Sequence, residues 1–356
     1  MKKERIVYLD YLRVLAAVAV VMIHVSAQKW SDQSVFSGEW YAMNFYDSIA
    51  RWAVPVFLMI SGALQLSREC SLKKLYSKNI LRLVVVYVVW SVLYAVFYQT
   101  IKMLNEPDYT VSIISFAKSV YMDRYHLWFI PMMAGVYLLI PVLKQVVENR
   151  KVTKYYLLVS GTLVFLLPTL MNAGADVFGG FVASAVKKAF SYMGRFEITE
   201  ILAWSVFYFL AGYYLSTTQL SAKRRKHLYI LGICSLVATC LLNGLIGWKQ
   251  QTTVETFLQY NTANVAITAM AFFVWLKNKP FANSRVTVWM GHLSKYSLGV
   301  CAVHVMVLDI LEEVGIHALS MPPVISIPVL TAVITAVSFL ICYGIGKIPF
   351  VSKWIQ

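Results

Sequence analysis

The 356 residues are 59% hydrophobic and only 14% charged, with a mean hydropathy of +0.64. A soluble globule needs roughly a quarter of its residues charged to cover its surface, so a soluble fold is excluded, as are disordered, collagenous and disulfide-stapled chains. The net charge of +15 falls in short clusters between apolar runs rather than in a basic stripe interleaved with aromatics. That pattern excludes a nucleic-acid partner and fits the loops of a membrane protein.

About twenty apolar residues cross a bilayer as a helix. Ten such segments are predicted, at 6–27, 46–66, 80–104, 126–144, 155–172, 198–216, 228–247, 261–277, 294–311 and 323–346. They make one all-α polytopic membrane domain spanning residues 1–356, with the lipid bilayer as its solvent. Lys2, Lys3 and Arg5, the apolar run and Val25-Ser26-Ala27 imitate a secretory signal. Asp10 and Arg13 inside that run, and nine further spans, argue instead for a retained first helix.

With the N-terminus in the cytoplasm, alternation puts most basic residues on that side. It collects Arg68, Lys73, Lys74, Lys78 and Arg82, then Lys144 to Lys154, Lys223 to Lys226, Lys277 to Lys295, and Lys347 and Lys353. Both termini are therefore expected to be cytoplasmic. Outside, residues 105–125 suggest an interfacial helix, and 173–197, opened by Gly174, Gly179 and Gly180, a re-entrant or surface segment. The five cysteines form no CxxC pair and read as packing residues.

Ionisable groups at bilayer depth are costly and mark function by default. Arg13 and His24 are eleven positions apart, which returns them to within about 20° of one another and about 16 Å apart along a helix. A permanent anion binder and a tunable proton acceptor on one line suit a buried reaction channel. The plainer alternative has Arg13 facing water and His24 bonding within the bundle. Asp10, one turn before Arg13, is expected beside it.

In Arg51-Trp52-Ala53-Val54-Pro55, Pro55 is expected to kink the second span, with Arg51 paired to Asp47. Ser61-Gly62 offers a small close-approach point. Lys78 and Arg82 share a helix face and either hold donor phosphates or set topology. His126 and Trp128 open the fourth span on the outer side; with Glu39 and Trp40 they are candidates to meet a sugar. His304, in the ninth span with Asp309, reads as a structural or supporting group. No metal site is expected.

These strings together resemble the acyltransferase-3 family of integral membrane acyltransferases. The resemblance runs from LDYLRVLAAVAVVMIH through RWAVPVFLMISG and HLWFIPMMAGVYLLIP to SKYSLGVCAVHVMVLDI. The second string looks most like the branch containing the enterobacterial common antigen O-acetyltransferase, and is also similar to the membrane half of serine racemases. The resemblance implies transfer of an acyl group, usually acetyl, from cytoplasmic acyl-CoA to a hydroxyl of an extracytoplasmic glycan or lipid-linked sugar, in the bacterial cytoplasmic membrane. By it His24 is the catalytic base and Arg13 its partner, Ser61 and Arg82 belong to the donor site, and Asn79 departs from an expected arginine.

In the mechanism this suggests, Lys78 and Arg82 hold CoA phosphates while the pantetheine arm passes Ser61. Direct transfer and a short-lived acyl-histidine both fit these residues. The alternative is a proton-coupled or amino-acid transporter using His304 and Asp309 as relays. Such transporters often carry inverted repeats, and none is visible in the sequence.

Overall fold

A computed structural model describes residues 5–69, 71–106, 108–122, 125–195, 202–282 and 284–349. Lys2, Lys3, Cys70, Lys353 and the opening of the sixth predicted span at 198–201 lie outside the described residues. The described residues are helical, without a strand. The helices used below are α1 (Val7–Ala27), α2 (Gly38–Ala50), α3 (Ala53–Gln65), α4 (Leu81–Asn105), α5 (Ile113–Met122), α6 (Phe129–Leu138), α7 (Ile140–Glu148) and α8 (Arg150–Ser160). They continue with α9 (Leu167–Phe178), α10 (Gly180–Arg195), α11 (Trp204–Thr217), α12 (Ala222–Gln250), α13 (Ala263–Lys277), α14 (Arg285–Leu293), α15 (Ser297–Glu313) and α16 (Pro323–Gly346).

Seven helical runs are long and apolar enough to cross a membrane, eight if the bent pair Tyr125–Leu138 and Ile140–Glu148 is one span. The bend of 57° falls ahead of Pro141, whose ring and missing N–H disrupt the preceding turn. The two predicted spans that do not qualify are α11 and α13, of 14 and 15 residues. At 1.5 Å per residue they reach about 21–23 Å, short of a hydrocarbon core of about 30 Å. Both are enclosed by other helices, α11 against α3 and α8, and α13 against α12, α1 and α3. Among the described residues, then, these two apolar helices are packed within the bundle and are shorter than the other runs.

Helix α1 is the hub. It packs against α2, α3, α13, α14, α15 and α16, so its polar side chains face protein rather than lipid. Pro55 sits differently from the expected mid-span kink. The run breaks at Arg51-Trp52, and Pro55 occupies the first turn of α3, where its missing donor is no loss. The break lies where the proline ring would otherwise meet the carbonyl of Arg51, four residues back.

The expected close approach at Ser61-Gly62 is present. A Cβ on Gly62 would lie 1.8 Å from the Phe209 carbonyl oxygen, and one on Gly212 would lie 2.0 Å from that of Met59. The α3–α11 crossing thus needs both glycines, the small-residue packing familiar in membrane helices. Gly62→Ala is expected to cost about 1–3 kcal/mol by overpacking, read as a lower unfolding temperature in detergent. Gly135→Ala, where a Cβ meets nothing within 4 Å, is the control and should unfold as the parent does.

Residues 105–125 contain α5, whose Ile113 and Ile114 are exposed. In 173–197, Gly174 lies within α9. Gly179 and Gly180 take positive φ of 61° and 46° and turn α9 into α10, a conformation only glycine adopts freely.

Candidate active site

Two polar assemblies lie along α1, one at each end. The first is a cavity of about 760 Å³ between α1, α3, α4, α6 and α15. Its wall carries Arg13, Lys78, Arg82 and Lys295 and no carboxylate. Among the described residues none of these four cations makes a hydrogen bond or ion pair. Four unpaired cations around one space repel each other and favour a polyanion between them.

Local backbone explains the convergence. Residues Leu75–Ile80 form a π-helical turn ahead of α4. The widened turn brings Ser77, Lys78 and Asn79 to the cavity wall together with Arg82, which a regular α-helix would spread over different faces. A 3-10 turn at Ser294–Tyr296 likewise turns Lys295 inward, a residue the sequence reading assigned only to a cytoplasmic loop. Asn79 donates to Gln65 Oε1 at 3.2 Å, and Gln65 Nε2 to the Tyr137 hydroxyl at 3.4 Å. The position that departs from the family's arginine therefore holds a neutral polar chain along the wall. Ser61 lines the same cavity.

Asp10 does not pair with Arg13. It accepts from Arg5 Nε at 2.5 Å and from Ser294 Oγ at 2.7 Å, while Arg5 also donates to the Thr287 carbonyl at 2.5 Å. Asp10 thus anchors the start of α1 to α14, and the Arg13 guanidinium is left to the cavity.

The second assembly surrounds His24, eleven residues further along α1. Its half-buried ring lies 4.8 Å from that of His304, 6.3 Å from His126 and 5.6 Å from Tyr125, between centroids. The Tyr125 hydroxyl stands 3.5 Å from His24 Nδ1. Tyr94 closes the group, 4.7 Å from the His126 ring. No three His, Cys, Asp or Glu side chains converge as metal ligands among the described residues. Cys301 and Ile130, which line the cavity, lie one helical turn from His304 and His126.

His304, read from the sequence as a structural or supporting group, is a ring neighbour of His24. Sequence spacing along one helix exposes Arg13 and His24, but it carries no signal for three histidines from three separate segments. Tyr125 and Tyr94 were missed for the same reason.

The expected acceptor candidates divide. His126 is buried within the histidine group. Trp128, on the same 3-10 turn, is exposed and stacks on Tyr260 at 5.7 Å. Tyr260 in turn lies 6.0 Å from the Arg51 guanidinium, and Arg51 pairs with Asp47 at 2.5 Å as expected. Glu39 is exposed on the first turn of α2 and takes no part in these ring contacts. Trp40 is fully buried, stacked on Trp30 and donating to Thr253. It is a packing residue, not a sugar platform.

At the far rim, exposed Lys29 pairs with Glu312 at 2.7 Å, which holds its ammonium pKa above the ordinary lysine value. Gln28 donates to the same carboxylate at 2.9 Å, closing α1 against α15.

No curated protein and no solved structure matches the chain. A family model described as an acyltransferase domain matches residues 6–344, nearly the whole chain and both polar assemblies. The apolar spans, the anion-favouring cavity and the histidine group are thus carried by a multi-pass membrane acyltransferase, and the chain belongs to the acyltransferase-3 family.

Proposed function

We propose that the protein is an acyl-CoA-dependent O-acyltransferase, moving an acetyl group from cytoplasmic acetyl-CoA to a hydroxyl of an extracytoplasmic glycan or lipid-linked sugar. The observation that carries this is the carboxylate-free cavity holding Arg13, Lys78, Arg82 and Lys295, with His24 eleven residues further along the same helix. CoA carries several phosphates at one end and a thioester at the other. Guanidinium and ammonium groups hold phosphate strongly, so the nucleotide end belongs with the cations and the pantetheine arm beside Ser61. The thioester then points along α1 toward the histidines.

His24 removes the proton from the acceptor hydroxyl as the oxygen attacks the thioester carbonyl. The carbon–sulfur bond breaks, and the CoA sulfur takes up the proton to leave as the thiol. General-base assistance of this kind contributes about 10²–10⁴-fold in rate. An acyl-histidine intermediate would use the same residue in two steps. Trp128 offers an aromatic face where a sugar would arrive. The same reading places the protein in a bacterial cytoplasmic membrane, on the O-acetyltransferase branch that its second motif suggests. A carboxylate-free cavity walled by four cations suits a polyanionic donor better than a proton-coupled transporter.

Release of free thiol from acetyl-CoA by the purified protein, dependent on an added glycan acceptor, is the direct test. Solute accumulation in vesicles with no acyl transfer would overturn the proposal. Arg82→Ala removes one phosphate contact, worth about 1.5–3 kcal/mol for a charged hydrogen bond. The half-saturating acetyl-CoA concentration should therefore rise about 10–100-fold with little change in the saturated rate. An unchanged donor requirement would take Arg82 out of the donor site.

A further inference from the structure

We infer that His304 is the positioning residue for His24, holding its imidazole in one orientation and steadying it once it is protonated. The inference rests on His24 being the catalytic base. His304 is 1% exposed, and its Nδ1 lies 3.0 Å from the carbonyl oxygen of Val300. A carbonyl only accepts, so Nδ1 carries the hydrogen and, in the neutral ring, Nε2 is left as a lone-pair acceptor. That Nε2 is buried with no partner of its own. A buried acceptor left unsatisfied costs stability, and the ring that carries it lies 4.8 Å from the tilted ring of His24, centroid to centroid.

Other titratable groups around this pair are spoken for differently. The Tyr94 hydroxyl donates to the Ala302 carbonyl at 2.8 Å and accepts from the Met306 amide at 3.0 Å. The Tyr98 hydroxyl donates to Asp309 at 2.7 Å, which accounts for the carboxylate nearest along α15. Tyr125 faces Nδ1 of His24, and His126 stands edge-on to both rings. His304 therefore presents a fixed acceptor next to a base that is about to gain a proton.

The chemistry follows without a further reactant. His24 takes the hydroxyl proton while the acceptor oxygen bonds to the acyl carbon, and it becomes an imidazolium with two N–H donors. The acceptor hydroxyl takes the place of Tyr125 at Nδ1, where the proton is gained, while Nε2–H is held by the His304 lone pair; the proton gained leaves on the departing CoA sulfur. His304 begins and ends neutral, with its hydrogen on Nδ1. Hydrogen bonds of this kind are often long at rest and tighten during the reaction.

Two substitutions separate this role from packing. His304→Asn keeps a short amide able to donate to Val300 but places nothing at the Nε2 position. His304→Gln extends an amide oxygen toward that position. With acetyl-CoA and acceptor varied, His304→Asn should lower the saturated rate about 10²-fold, the lower end of what such groups contribute. Its donor requirement should stay unchanged, and His304→Gln should recover at least ten-fold of the loss.

Full activity in His304→Asn would overturn the inference. So would equal losses in both variants, or a loss that appears in the donor requirement. If either variant unfolds on purification, His304→Gln measured against wild type in native membranes decides: a fall beyond ten-fold in the saturated rate counts against the role. His24→Ala run alongside keeps the two readings apart. If it is inactive while His304→Asn is fully active, only the positioning role falls; if it turns over normally, the base assignment falls and the positioning role with it.

Discussion

His24→Ala should abolish acyl transfer from labelled acetyl-CoA while leaving the protein in the membrane at its usual level. The two halves of that expectation have separate physical grounds. His24 is half-buried beside three other rings, so truncation opens space in a polar pocket rather than in the tight apolar crossing of α3 and α11. Its hydrogen-bond partner, Tyr125, is 3.5 Å away, a contact too long to contribute much stability. Chemistry is different, because a hydroxyl with a pKa far above neutrality attacks a thioester slowly without a base to take its proton. The expected loss is at least the 10²–10⁴-fold typical of general-base assistance, and greater if His24 carries the acyl group covalently. The decisive measurement is product formation per molecule of folded protein; transfer at the wild-type rate would remove His24 from the chemistry. His24→Gln tests the remainder, since an amide can orient a hydroxyl but cannot take its proton at neutral pH. It too should be inactive.

Much of this site was legible in the sequence where it is local to one helix. The eleven-residue spacing of Arg13 and His24 and the Asp47–Arg51 pair follow from helical geometry, and the structure forms the second at 2.5 Å; Lys78 and Arg82 do line one cavity, though by another route. What failed was local in spacing but decided by tertiary partners. Asp10 is one turn from Arg13, yet Arg5 and Ser294 claim both its oxygens. Trp40 sits beside exposed Glu39, yet Trp30 and Thr253 bury it.

The apolar segments at α11 and α13 have spanning composition, but their described helices are only 14 and 15 residues long, and composition does not fix helix length. The histidine group was invisible because its members come from α1, the turn before α6, and α15. Lys295 reached the cavity through a 3-10 turn, and Lys78 lines it on a π-helical one; neither irregularity has a clear signal in a periodic pattern.

Arg13→Lys should show the second-largest effect. Eleven residues of helix separate Arg13 from His24 by about 16 Å, so it cannot orient the imidazole or touch the reacting carbonyl in the same step. It lines the cation cavity, with no hydrogen bond or ion pair of its own among the described residues. On the proposed reading its work is therefore on the donor. Lysine retains the charge but loses the planar fork that grips a phosphate through two parallel bonds. A single charged hydrogen bond is worth about 1.5–3 kcal/mol, so Arg13→Lys should lower the transfer efficiency for acetyl-CoA about 10–100-fold, and Arg13→Gln further still. The loss should appear in the donor requirement and be relieved by saturating acetyl-CoA. With a truncated donor lacking the nucleotide phosphates, wild type and Arg13→Lys should converge. A saturated rate that collapses while donor affinity holds would instead give Arg13 a part in the chemistry, and the division of α1 into a donor end and a proton end would be wrong.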